Sequence, residues 1–285
     1  MPSIHLSDRS LIDIAGADAQ GFLHNLITTD VEGMPEGEAR PGALLTPQGK
    51  ILFDFLIWRH LEGFRLECDT AQQEALIKRL SMYKLRAAVT LAPAGTGVLV
   101  VWGEEAKHAQ GVIDLAFQKA GILVKRQAGG PQADEVQPVA AQAYNRLRIQ
   151  AGLALAGQDY PLQDAFPHDV TLDLNGGLSF RKGCYVGQEV VSRMQHRGTA
   201  RRRLVQVAAQ SPLPAPGTEI TAGGKPLGSL GTVDGAQGLA IVRIDRVGEA
   251  LAAEMPILAG GMEIALTLPA WTGLAFPTEP AEGHP

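Results

Sequence analysis

Between Phe180 and Gly198 the chain reads FRKGCYVGQEVVSRMQHRG, and its reactive side chains concentrate there. Val186, Val190, Val191 and Met194 recur on one face of a 3.6-residue period, which predicts a helix beginning near Val186 or Gly187 with Cys184 at its mouth. A thiol at that place feels the positive end of the helix dipole, and Arg181 and Lys182 add cationic charge; both favour the thiolate. Gly183 and Gly187 permit positive φ angles or a close approach of a ligand to the backbone. Glu189, in the first helical turn, opposes thiolate formation. Two readings of Cys184 follow: a reactive thiol, or a small apolar core residue, which is what free cysteines commonly are. Cys68, the other cysteine, ends a strand pattern without such neighbours and reads as structural.

Charge around the motif is lopsided. From Arg181 to Arg203 there are seven cations and one acid, a net +6, which leaves −11 on the remainder of a chain whose total is −5. A local positive field on an acidic protein suits an anionic ligand better than a coat of nucleic acid, although a solvated basic face has the same composition. His168 and His196 are available as bases, but no spacing pairs either with a cysteine. GxSxG and Walker A loops are absent, and PQGK at Pro47 to Lys50 reads as a turn. Two cysteines are too few for a disulfide framework, a zinc ribbon or a stable iron–sulfur cluster in one chain, and no metal site is expected.

The elements that must carry this motif are mixed. A strand near Leu11 to Ile14 precedes helical spacing at Phe22, Leu23, Leu26 and Ile27. Ala43 to Leu45, a turn at Pro47 to Gly49, Ile51 to Trp58, a turn at Glu62 and Gly63, and Phe64 to Cys68 read as an antiparallel meander. Thr70 would cap a helix through Leu80, and Ala88 to Leu91 and Val98 to Trp102 read as strands. Gln127 to Pro138 is a polar break, and a helix resumes over Ala140 to Ala151, stopped by Gly152. After Arg202, short β runs separated by glycine and proline signal a small barrel or sandwich, and GLAFPTEPAEGHP reads as a frayed tail. With 285 residues, 45% hydrophobic and 19% charged, the chain must fold, into two or three units. No apolar run approaches a membrane span and the start lacks a signal-peptide core, so a cytoplasmic location is expected. The interleaving favours an antiparallel α+β fold over a doubly wound one.

KGCYVGQE at Lys182 to Glu189 resembles the signature of the YgfZ-type folate-binding proteins, relatives of the glycine-cleavage T-protein that act in iron–sulfur cluster maintenance. ITTDV at Ile27 to Val31, LLTPQGKILFDF at Leu44 to Phe55, YKLRAAVTL at Tyr83 to Leu91 and NRLRIQAGLALAGQD at Asn145 to Asp159 resemble the superfamily's successive blocks, so the likeness extends from about Leu11 to Leu268. It implies a three-lobed α+β T-protein-like fold with a central folate channel and a C-terminal β-barrel. The corresponding division is residues 1–126 for the N-terminal lobes, 127–200 for the segment that completes them and carries the motif, 201–272 for the barrel and 273–285 for the tail.

The resemblance also implies tetrahydrofolate or a derivative as cofactor, and iron–sulfur assembly proteins or client enzymes as partners. Asp54 stands where T-proteins orient folate, and Asp169, in Pro167-His168-Asp169, stands in the slot of a pterin-binding acid that is one methylene longer. Lys182 and Gln188 enter the site as motif residues. The ligand's chemistry agrees: a pterin edge matches a carboxylate, an anionic glutamate tail suits Arg148, Arg193 or Arg197, and Tyr83 or Tyr185 would stack on a flat heterocycle. Three functions stand open. One is a folate-dependent assembly or repair factor in which Cys184 is a nucleophile, redox thiol or transient cluster ligand, with a transferase-like activity left open. The second is an authentic aminomethyltransferase, disfavoured by KGCYVGQE, which T-proteins lack. The third is an RNA-binding or tRNA-modification accessory protein, disfavoured by sparse aromatics and the acidic total.

Overall fold

The computed structural model describes residues 2–129 and 138–277. Seven strands close into a barrel: β1 (Ser3–Ala15), β2 (Glu38–Leu45), β3 (Ile51–His60), β4 (Gly63–Asp69), β5 (Thr90–Trp102), β6 (Val112–Asp114) and β7 (Val124–Ala128), in the order β1-β4-β3-β2-β6-β7-β5. All neighbours are antiparallel except β2 and β6. Closure leaves no edge open to pair with another chain. The expected meander is present in β2, β3 and β4, whose alternation turns Phe53, Phe55 and Ile57 inward.

Several elements differ from the sequence-based reading. β1 runs from Ser3 rather than Leu11, because bulges near Leu6 and Ser10 let its polar first half stay in register with β5. The two strands expected between Ala88 and Trp102 are one, β5. Helix α1 (Ala19–His24) stops before Leu26, and α2 (Gln73–Lys84) follows a 3-10 turn whose cap is Asp69, not Thr70: the Asp69 carboxylate accepts from Ala71 N at 2.7 Å. Gln127 and Ala128 belong to β7; the rest of the expected polar break, from 130 to 137, lies outside the described residues. A short helix, α3 (Leu115–Lys119), is capped by the Asp114 carboxylate.

Helix α4 (Pro138–Ala151) joins the barrel to the rest. Tyr144 and Leu147 pack among the apolar residues of β1, β5 and α3, while Ile149 belongs to the cluster beneath the second β structure. Gly152 stops the helix at φ +65°, and a Cβ there would stand 2.4 Å from Pro269 Cγ, so the stop is also a contact. Gln206 Nε2 donates to Ile149 O at 2.9 Å and Trp271 Nε1 to Ala151 O at 2.8 Å, fastening the C-terminal unit to the same helix end. After the irregular stretch 152–187 comes α5 (Gln188–Arg197), with Gly187 as its N-cap.

The C-terminal unit contains β8 (Arg202–Ala208), β9 (Glu219–Ala222), β10 (Lys225–Asp234), β11 (Gln237–Arg243), α6 (Ile244–Ala252), β12 (Ile257–Ala259), β13 (Met262–Glu263) and β14 (Ala265–Thr267). Its order, β13-β12-β9-β10-β11-β8-β14, puts β13 and β14 at opposite ends of the sheet, although only Ile264 separates them in the chain. The sheet must therefore curl back on itself into a small barrel around Val205, Ile220, Val242 and Val247. The tail is not frayed at its start. Phe276 packs against this core, and a Cβ on Gly248 of α6 would stand less than 2 Å from Pro277 O; residues 278–285 lie outside the described ones.

Candidate functional site

The blocks singled out in the sequence converge on two places. One is the surface that presents the motif. Gly187, at φ +78°, lets the turn before α5 press on the 46–50 turn: an added Cβ would lie 2.5 Å from Thr46 O and 3.1 Å from Gly49 Cα. Gly49, at φ +79°, faces Val190, whose Cβ would lie 3.0 Å from an added Cβ. Gly183 has no such role, since nothing lies within 4 Å of its missing Cβ and its φ is not positive.

Lys182 is buried, and its ammonium is spent on backbone. Nζ donates to the carbonyls of His24, Ile27 (2.7 Å) and Thr29 (3.2 Å), in and just after α1, and lies 5.1 Å from the centre of the Tyr185 ring. Burial pulls it down to about 8, against the pull of Asp30 and Glu32. The Tyr185 ring is buried too, with a hydroxyl that has no partner among the described residues, and burial raises its phenol. Between these two anchors Cys184 is exposed, so the packed-core reading of this thiol fails. It lies three residues before the N-cap of α5, one step outside the helix mouth expected of it. Gln188 opens α5, half-buried; Arg193 pairs with Glu189 at 2.6 Å on its exposed side, and Arg197 is exposed in the last turn. Cys68 is fully buried and burial pushes its thiol up to about 12, as befits a structural residue.

The second place is a cavity of about 400 Å³ between the first barrel, α4 and the 153–175 stretch. Asp54 and Arg148 line it; the other residues expected to bind cofactor do not. Asp54 projects from β3 on the face opposite Phe53 and Phe55. Its Oδ2 accepts from the Tyr160 hydroxyl at 3.2 Å, and burial raises its carboxyl despite Arg9 and that bond. Arg148 is held on all sides: Nη1 donates to Asp159 Oδ2 (2.7 Å) and Leu153 O, Nη2 to Gln158, Asn145 and Thr232. Its Nε has no partner among the described residues.

The remainder of the polar wall was not foreseen. Glu67 Oε1 accepts from Arg9 Nε (3.0 Å) and Arg126 Nη1 (2.8 Å), while Arg126 also donates to Asp114 (2.7 Å) and the Tyr144 hydroxyl (2.8 Å). Burial opposes the charge of Arg126, but Glu67, Tyr144 and Asp114 outweigh it and its pKa stands well above the ordinary value. Glu67 Oε2 has no partner among the described residues. The available signal was a charge lodged between apolar strand neighbours, as Glu67 is between Leu66 and Cys68.

Asp169 stands apart from the cavity. It is buried, accepts from Phe166 N at 3.1 Å, lies 3.7 Å from Arg202 Nε, and burial raises it to about 6. Tyr83 packs half-buried against the first barrel's core. Among the described residues no three His, Cys, Asp or Glu side chains converge as metal ligands, and no helix is long and apolar enough to cross a membrane.

The model of the CAF17 C-terminal β-barrel domain matches residues 201–274. The chain is 33% identical to the mouse iron–sulfur cluster assembly factor IBA57, a protein named as mitochondrial, over 85% of this chain and 77% of that protein. The human IBA57 factor is 30% identical with the same coverage. In three dimensions the glycine cleavage system aminomethyltransferase T of Bartonella henselae superposes with a TM-score of 0.73, at 19% identity, over 94% of this chain and 85% of that one, a likeness of fold. A T-protein-like α+β fold of two barrels, with the KGCYVGQE motif on its surface and relatives this similar over most of their length, identifies the chain as a member of the IBA57/CAF17, YgfZ-type family of iron–sulfur cluster assembly factors.

Proposed function

We propose that this assembly factor binds a reduced folate in the cavity beside Asp54 and meets its iron–sulfur partners through the exposed Cys184. The single observation behind the folate reading is the Asp54 carboxylate: half-buried in the wall of a cavity of ligand size, it spends one oxygen on Tyr160 and has the other to offer. A pterin edge, with adjacent N–H donors, fits that remaining capacity. Unpartnered Arg148 Nε and Glu67 Oε2 in the same wall also suit a polar ring better than a hydrocarbon. Tetrahydrofolate, when bound, supplies a reduced pterin able to carry a one-carbon unit. The chain's own groups would orient it: Asp54 accepts from the ring, Tyr160 holds Asp54, and Arg148, fixed by Asp159, shapes the wall rather than reaching for the glutamate tail.

Lys182 and Tyr185 act here as supports of the motif loop, and Asp169 as a fastening of the 164–169 turn to Arg202. Cys184 supplies one thiolate. A cluster bound through it needs the other ligands from a partner, which suits a transient shared site rather than a resident one. Two measurements test this reading. Tetrahydrofolate should raise the melting temperature, since a ligand of the native state stabilises it by mass action, and Cys184→Ser should fold normally yet fail to restore iron–sulfur enzyme activity in cells lacking the protein. A flat melting curve or full restoration would contradict the respective half.

A further inference from the structure

We infer that the C-terminal end of α2 is a docking surface for an acidic partner protein, the one that reaches Cys184. This rests on the iron–sulfur assembly reading and adds where the partner sits and what its surface carries. Two large apolar side chains stand in solvent there: Met82 is 64% and Leu85 90% exposed. Around them the chain reads KRLSMYKLR from Lys78 to Arg86, four cations and no acid. None of Lys78, Arg79, Lys84 and Arg86 forms an ion pair among the described residues, unlike Arg193, Arg202 or Arg146 elsewhere on the surface. An apolar centre with a cationic rim that has no counter-charges of its own fits a partner surface of apolar residues ringed by Asp and Glu. Leu85 is moreover held at φ +43°, a conformation unfavourable for leucine, without burial to offset it.

The position of this patch connects it to the motif. Helix α1 is tied at its start, where Ala88 N donates to Asp18 Oδ2 at 2.7 Å, to the segment between α2 and β5, three residues after Leu85. At its other end the Lys182 ammonium grips the carbonyls of His24 and Ile27, two residues before Cys184 in the chain. Six helical residues span about 9 Å, whereas a partner footprint of roughly 800 Å² covers a disc about 32 Å across. A single partner footprint is therefore wide enough to take in both ends of α1. An anionic membrane or nucleic acid would also like cations and apolar groups, but the chain carries −5 overall and the apolar centre is only two side chains wide, which favours a compact acidic protein.

The test uses the full chain in cells that lack the natural copy, with the activity of a [4Fe–4S] dehydratase that falls in those cells as readout. Leu85→Glu and the Lys78→Glu/Arg86→Glu pair should each lower that activity about tenfold or more at equal protein level, as loss of an interface anchor does. Melting temperature and tetrahydrofolate affinity should be unchanged. Leu85→Met should restore activity, and Leu251→Glu, at an exposed leucine elsewhere, should leave it intact. If Cys184→Ser abolishes activity and the α2 variants do not, the docking surface is wrong and the assembly reading stands; if none of them lowers it, the reading itself falls. A photo-crosslinking amino acid in place of Leu85 gives a second measurement. An adduct with an acidic, cysteine-liganded cluster protein, lost in the charge-reversed pair, supports the inference. An adduct with nucleic acid or a second copy of this chain, binding to anionic vesicles that Leu85→Glu abolishes, or no adduct above that at Leu251 would overturn it.

Discussion

Replacing Lys182 by methionine keeps the stem and removes the buried ammonium, and the structure says how the effect must vary with pH. The amine falls from an ordinary 10.5 to about 8 because burial disfavours its charge, and at 1.36 kcal/mol per tenfold change in proton affinity that difference is worth about 3 kcal/mol. Below pH 8 both folded and unfolded chains hold the proton, and the fold carries the whole cost of the buried charge. Between pH 8 and 10.5 the unfolded chain holds it and the folded chain does not, so stability climbs with pH. Subtracting the Lys182→Met variant cancels every other titrating group. Urea unfolding at pH 7, 8, 9 and 10 should therefore show the wild type gaining about 2 to 3 kcal/mol on the variant across the series. A difference constant within about 0.5 kcal/mol would mean that this ammonium is not enclosed by the three carbonyls, and that nothing so described anchors the Cys184 loop.

Other expectations follow from the same geometry. Gly187→Ala places a Cβ 2.5 Å from Thr46 O at φ +78° and should cost about 2 to 4 kcal/mol, read as a fall in melting temperature; an unchanged value would mean the motif and the 46–50 turn do not touch. Asp169, raised to about 6 by burial, binds a proton more tightly in the folded chain, so its burial lowers stability as pH rises from about 4 to 6. Asp169→Asn should then gain up to about 3 kcal/mol on the wild type between pH 4 and pH 7, and denaturation at the two pH values would detect it. Equal differences at both would show that Asp169 ionises freely.

The periodic parts of this fold were legible in the chain. Alternation located β3 and β4, and the apolar face of Val190, Val191 and Met194 located α5 within two residues. The motif announced Cys184, because a cysteine among cations and glycines is an unusual local pattern. The cavity was legible only at two lining residues: Asp54, through the family likeness, and Arg148, through the charge of a folate tail. Its ion network joins Arg9 to Glu67 across 58 positions and Glu67 to Arg126 across 59, and no local pattern encodes pairs that only barrel closure brings together. Lys182 misled for a related reason: its carbonyl partners are more than 150 residues away, so in sequence it reads as a free cation next to a thiol. β1 escaped because its polar Ser7 to Ser10 stretch has no strand signature and is held by bulged pairing with β5.

Whether Asp54 receives a folate can be read by titration calorimetry of tetrahydrofolate into the wild type and Asp54→Asn. The wild type should show one site per chain and the variant an affinity about 10- to 100-fold weaker, the loss expected when a charged hydrogen-bond acceptor becomes neutral, with the melting temperature of the free protein preserved. Binding of equal strength in both, or no binding to the wild type at millimolar ligand, would contradict it.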